Sequence, residues 1–263
     1  MLFFLFIKGK SMRKIKNYMY EVTLLSRNVP AFLFAIFIAS LIMMNVLANK
    51  SIDTHISFLA LDCGFIFSWV TFLVMDIVVK HFGLRAANSM TIIGLLTNLF
   101  FAIMLLIASF IPGEWSQSYV EGSEEIINNA LDLTFRNTWY VLFGSSVAYL
   151  VSALLNNFLN YRIGKKIDKE NNFKGFAIRS YLSTFIAQFI DNLLFAFIVS
   201  LHFFGWTILQ CITCALTGAI AELLFEVIFS PVAYKVCSRL RENNVGSEYF
   251  DYINYKENIS LWK

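Results

Sequence analysis

The sequence predicts an all-α fold: a polytopic integral membrane protein of six transmembrane helices with both termini in the cytoplasm. Three observations predict it. Of 263 residues, 58% are hydrophobic and 15% charged, with 28 Phe and only 3 Pro. Soluble domains run near roughly 45–50% apolar and about 25% charged, and one core of this size could not hide the excess. Six apolar segments each reach the ~20 residues a helix needs to cross hydrocarbon. Finally, Lys and Arg alternate along the loops so that 19 of 21 fall on one side, which the positive-inside rule makes cytoplasmic. A soluble enzyme, a disordered chain and a disulfide scaffold are thereby excluded.

The elements follow in order. Residues 1–29 form a basic cytoplasmic segment; Met1–Ile7 is apolar but too short to span, and its basic residues follow rather than precede it, the reverse of a signal peptide. Residues 30–235 form the six-helix transmembrane domain, with spans at Pro30–Ala48, Phe58–Val79, Met90–Ile111, Thr138–Leu159, Phe176–Leu201 and Trp206–Tyr234. Barrel strands would show shorter, alternating segments. The outer loop Gly113–Asn137 mixes Glu114, Glu121, Glu124, Glu125 and Asp132 with apolar residues; an interfacial helix or lid and a solvated connector fit it equally. Residues 236–263 form a basic, polar cytoplasmic tail.

Scarce charge makes the acids inside spans informative. Asp76, Asp191, Glu222 and Glu226 lie there, and an acid at a helix centre costs about 2.5–3.5 kcal/mol on insertion scales. They must face a bundle interior, a water-filled cavity or a partner. In the fifth span Thr184, Gln188, Asp191, Asn192 and Phe195 make one polar stripe ending in an aromatic; in the sixth, Gly218, Glu222 and Glu226 share a face. Two like charges one turn apart repel, so one of the two Glu is protonated or a cation neutralises both. Thr91, Gly94 and Asn98 align in the third span; Tyr149, Ser152, Asn156 and Asn160 align in the fourth. In the second, Trp69, Phe72, Asp76 and Lys80 fall on one side. Asn45 adds a contributor from the first. Gly144, Ala148 and Ser152 form a small-residue stripe, a helix-packing seam that leaves room for a homodimer.

Other chemistry is not expected. Cys211 and Cys214 have no second Cys or His pair to complete a metal site, and read as small packing residues. No HExxH motif, nucleophile–base pair or metal triad lies in mid-span, and His55, His81 and His202 sit at span ends. No catalytic residue, cofactor, metal or nucleic-acid partner is expected.

One set of residues resembles a known family. Asn45-Val-Leu-Ala-Asn-Lys50 precedes a span with Asp76, then Phe82-Gly83. Asn98 and Pro112 follow, then Ser146-Val-Ala-Tyr149, Arg179, Ser183-Thr184-x-x-x-Gln188-x-x-Asp191, and Ser230-Pro231-Val-Ala-Tyr234. From Asn45 to Tyr234 the chain resembles the queuosine precursor transporter family, also classed among vitamin uptake transporters. The resemblance implies a multi-pass inner (plasma) membrane importer of 7-deazaguanine bases, such as 7-cyano- or 7-aminomethyl-7-deazaguanine or queuine, for tRNA queuosine salvage. Asp191 and Gln188 would contact the base, with Asn98, Asn45, Trp69, Phe72 and Asn192 around it. A carboxylate suits the adjacent ring N–H and amino donors of a deazaguanine, and Trp69, Phe72 or Phe195 would stack on its ring. Asp76, Lys80, Glu222 and Glu226 would serve coupling or gating, with proton coupling left open. An alternative with the same six helices is the substrate-binding subunit of an energy-coupling-factor-type vitamin or nucleobase transporter.

The chain departs from the family pattern at several positions. Ser68-Trp69 replaces Phe-Pro, Lys80 an acid, and Glu222 a Lys. Asn88 stands for Arg, Asn156 for Asp, and Tyr140 for a basic residue. The exchanged acid and base suggest that Lys80 and Glu222 form an interhelical ion pair or lie close to one cavity.

Overall fold

The structure, a computed structural model, describes residues 2–53, 55–56, 58, 61–115, 122–167 and 172–261. Among these the chain is helical but for one short hairpin. Helix α1 (Leu2–Asn28) stops ahead of Pro30, which has no N–H to give and forces its predecessor out of helical geometry. Helix α2 (Ala31–Leu47) leaves at 106° to α1. The basic N-terminal segment is thus a helix of its own lying crosswise to α2, and the two are long and apolar enough for a sixth crossing only as a bent pair. Five further helices or helix pairs are long and apolar enough to cross a membrane.

The antiparallel hairpin of β1 (Ser51–Ile52) and β2 (Leu61–Asp62) pairs Ser51 with Asp62. It occupies residues expected at the head of the second span, so α3 begins later and runs Phe65–Phe82. Gly83 alone joins it to α4 (Leu84–Ala108), with φ 87° and ψ 173°, a region essentially restricted to glycine. The third span therefore starts earlier than its hydropathy suggests.

Helix α5 (Glu124–Ile167) absorbs the second half of the acidic loop as its own first turns. Trp115 fastens the preceding chain onto it: its backbone N–H donates to Asn128 Oδ1 at 2.6 Å, its indole N–H to Asp132 Oδ1 at 2.9 Å. Glu121 lies outside the described residues. Helix α6 (Phe173–Phe195) is capped by Asn172, whose Oδ1 accepts from the Gly175 N–H at 2.8 Å. A π turn (Ala196–Ser200) and the short α7 (Leu201–Phe203) finish this span. The wider π turn leaves carbonyls for outside donors: Tyr140 Oη donates to Ile198 O at 2.9 Å, and Cys211 Sγ to Ala196 O at 3.6 Å. Helix α8 (Ile208–Glu242) opens on a capping box of Thr207 and Gln210 and continues through Pro231.

The tail, expected only to fix topology, forms α9 (Ser247–Leu261). It packs beside α1: Tyr249 is buried, Val245 O meets His81 Nε2 at 2.8 Å, and Asn28 Nδ2 donates to Glu248 Oε2 at 3.5 Å. Buried Glu21 on α1 pairs with Arg85 at the start of α4. These ties place the second half of α1, α9 and the α3–α4 joint at one end, here the terminal end. The hairpin and the α4–α5 and α6–α8 links lie at the opposite hairpin end.

Helix α3 runs through the middle, buried without a break from Thr71 to Val79. Large apolar residues such as Leu96, Phe100, Leu224 and Ile228 point outward and are at least 60% exposed. An apolar exterior over a core holding buried acids is the arrangement a bilayer solvent favours. The Gly144–Ala148–Ser152 stripe is used within the chain, where a Cβ on Gly144 would strike Val199 of the π turn. It offers no face to a second copy.

Candidate functional site: a closed cavity and two polar layers

Between the hairpin and the middle of the bundle lies a cavity of about 30 Å³. Asn45 of α2, Ser68 of α3, Ser145 of α5, Asp191 and Asn192 of α6 and Glu222 of α8 line it, with Asp62 at the hairpin side. That volume holds water, not a bicyclic base.

The lining groups differ in how much hydrogen-bonding capacity they have left. Asn45 is spent: Nδ2 donates to Leu41 O at 2.7 Å and to Asn98 Oδ1 at 3.0 Å, and Oδ1 accepts from Ser145 Oγ. Asn98, behind it, donates to Ser146 Oγ at 3.2 Å. These two asparagines brace α2, α4 and α5 rather than present free edges. Asp191 takes Ser152 Oγ on Oδ1 at 2.6 Å. Among the described residues its other oxygen has no donor. Glu222 accepts from Asn192 Nδ2 at 3.5 Å, leaving Oε2 unpartnered. Gly218 permits this approach, since a Cβ there would lie 2.7 Å from Asn192 Nδ2.

Gln188, one turn from Asp191 toward the terminal end, is fully buried with both amide atoms unpartnered. An unmet buried amide costs about 1–3 kcal/mol. Asp191 and Glu222 therefore hold the unspent acceptors that face the cavity, while Gln188 lies a turn behind its lining.

The predicted aromatic platforms fall elsewhere. Trp69 stacks on Phe225 and Phe229 of α8, centroids 5.5 and 4.7 Å away, and Phe229 is 39% exposed. It belongs to a flank facing outward, because α3 turns the Ser68–Phe72–Asp76 edge inward and Trp69 lies off it. Phe72 is fully buried. It sits one turn below Ser68 and one above Asp76, separating two polar layers. The aromatics that line the cavity are Phe65 and Phe195.

The second layer lies below Phe72. Asp76 accepts from Asn156 Nδ2 at 2.8 Å and Thr184 Oγ1 at 3.3 Å. Ser180 Oγ bonds both Asp76 and Glu226. Glu226 is thus grouped with Asp76, not Glu222, because α8 carries its two acids one turn apart into different layers. Ser180 was missed by the stripe read from Thr184 onward; it extends that stripe one turn back. Arg179, in the motif before Ser183, is buried in α6, donating from Nε to Asn160 Oδ1 at 2.7 Å.

Lys80 does not meet Glu222. It lies by Cys237, Ser238 and Arg241 at the terminal end, and Ser238 is some 24 Å along α8 from Glu222. Cys211 and Cys214 are buried on α8, and among the described residues no three His, Cys, Asp or Glu gather around a common point.

A family model described as "Putative vitamin uptake transporter" matches residues 62–236, two thirds of the chain. The match runs from β2 through most of α8 and so includes both polar layers except Asn45. No curated protein and no solved structure matches the chain.

Proposed function

The chain belongs to this family of vitamin uptake transporters and is a multi-pass membrane protein, and from that premise we propose that it imports a 7-deazaguanine base, a precursor of tRNA queuosine, across the cell's inner membrane. It acts as a carrier, not an enzyme. The observation that carries this reading is a pair of acids facing one small cavity with acceptor capacity to spare: the open oxygen of Asp191 and Oε2 of Glu222, with the Asn192 amide between them. A deazaguanine presents adjacent ring N–H and amino donors to a carboxylate and a carbonyl acceptor to an amide N–H. Phe195 and Phe65 offer apolar faces for its ring. A cavity too small for the base in this conformation fits a carrier that opens to one side at a time around a fixed site.

The test is tRNA queuosine content in a strain unable to make the base, expressing this chain and fed each precursor in turn. Restoration by at least one deazaguanine is expected. Asp191→Asn should cut uptake by about 10–100-fold, the worth of one charge-assisted hydrogen bond of roughly 1.5–3 kcal/mol. No restoration by any precursor, with the protein present in the membrane, overturns the reading. Restoration only when an ATPase module is supplied would make the chain a binding subunit.

A further inference from the structure

We propose that Asp76, Ser180 and Glu226 form a one-proton site, separate from the base cavity, whose loading couples import to a proton gradient. The proposal rests on the reading of the chain as a transporter.

The stoichiometry comes from hydrogen-bond counting. Ser180 Oγ touches Asp76 Oδ2 and Glu226 Oε1, yet a hydroxyl has one proton to give. Only one carboxyl can receive it. The other contact is a hydrogen bond only if that carboxyl carries a proton and donates to Ser180 Oγ. The surroundings say which. Asp76 also accepts from Asn156 at 2.8 Å and Thr184 at 3.3 Å, the environment of an ionised acceptor. Glu226 has Ser180 on one oxygen, lies against Thr184 and meets Asp76 directly, a carboxyl–carboxyl contact that itself needs a proton between them, while Oε2 is buried with no donor on it. The proton therefore sits on Glu226, and the chain of donors runs from Glu226 through Ser180 to Asp76.

A second, independent observation points to the same occupant. Asn156 is wholly buried and aimed at Asp76 through Nδ2, while its Oδ1 has no partner. Two orphaned acceptors beside two carboxyls mark a place where positive charge is short. Charge balance agrees. Arg179 of α6 faces Asp76 and supplies one positive charge. One guanidinium and one proton neutralise two carboxyls; without the proton the layer carries a net negative charge in a medium that tolerates little.

The other titratable groups around it are few. Cys237 of α8 faces Asp76, and Lys80 of α3 faces Cys237 from one turn beyond. Asn156 and Asn160 of α5 carry no charge. Glu222 lies one turn along α8, about 6 Å, toward the base cavity. Phe72 alone stands between Ser68 and Asp76 on the inner edge of α3. Loading the proton and closing the cavity thus act on the same three helices, and coupling between them must be reciprocal.

The experiment uses the full chain reconstituted in phospholipid vesicles, with two readouts. Infrared difference spectra without substrate should show the carbonyl stretch of a protonated carboxylic acid that is missing in Glu226→Gln and shifted in Ser180→Ala. Uptake of labelled deazaguanine should rise about tenfold per unit of pH gradient for one proton per base, and in Glu226→Gln should no longer respond to that gradient. A carbonyl band unchanged in both variants overturns the proposal. So does wild-type uptake indifferent to the pH gradient, or driven instead by a sodium gradient. If no deazaguanine crosses under any gradient, the substrate assignment fails while the infrared spectra still decide the proton site.

Discussion

Asp62 illustrates how a single side chain links the hairpin to the cavity. It sits in β2, outside the spanning helices, and its Oδ1 accepts from the Gly64 N–H at 2.7 Å. Burial pushes its carboxyl up to about 7, against the lowering effect of that N–H and with a small push from Asp191. The folded state thus prefers the protonated acid. Its contribution to stability is full below the unfolded value of 3.8 and is lost as pH rises through about 7. The thermal stability of the purified protein should therefore fall as pH rises from 3.8 to about 7, and Asp62→Asn should flatten the curve there; an unchanged pH profile would contradict this. The residue scale is also where the sequence was least legible. Acids in apolar runs are visible without a structure, and all four proved buried. Their partners were not visible. Glu222 and Glu226 share a helix face, so spacing pairs them, whereas the structure divides them by depth between Asn192 and Ser180. Trp69 misled for a related reason: helical spacing gives an angle about the axis to within a residue, and one residue is 100°.

At the scale of elements, hydropathy located every span but few of its ends. Apolar content sets where a chain can cross; caps and breakers set where a helix starts. Gly83 is the sharpest case. Its φ of 87° and ψ of 173° suit glycine alone, and a Cβ there would meet nothing within 4 Å. Gly83→Ala should then destabilise the fold by about 1–3 kcal/mol through backbone strain only, read as a lower unfolding midpoint in mild detergent. A null effect would mean the joint relaxes freely. The hairpin, the crosswise α1 and the docked α9 were not foreseen because none carries a long periodic apolar pattern. They are held by specific contacts such as Glu21 to Arg85 and His81 to Val245.

For the whole molecule, the crossing pattern and the basic loops agree on one axis. The terminal end gathers α1, the α3–α4 joint and α9, and the Lys and Arg of these segments belong to it. We expect that end to face the cytoplasm. A reporter that matures only outside the cytoplasm should be inactive when fused after residue 263 and active when placed in the α4–α5 link; the opposite result would invert the transport direction argued above.

Gly83 has a mechanical consequence as well. A single residue between two crossing helices leaves no slack, so α3 cannot tilt or slide without dragging α4 by its first turn. Ser68 and Asp76 ride on one arm, and Asn98, which braces Asn45, rides on the other. The two arms work as a bell crank pivoted at the terminal end. A small rotation at Asp76 would swing both the cavity wall and the brace behind it, so that one movement would serve both.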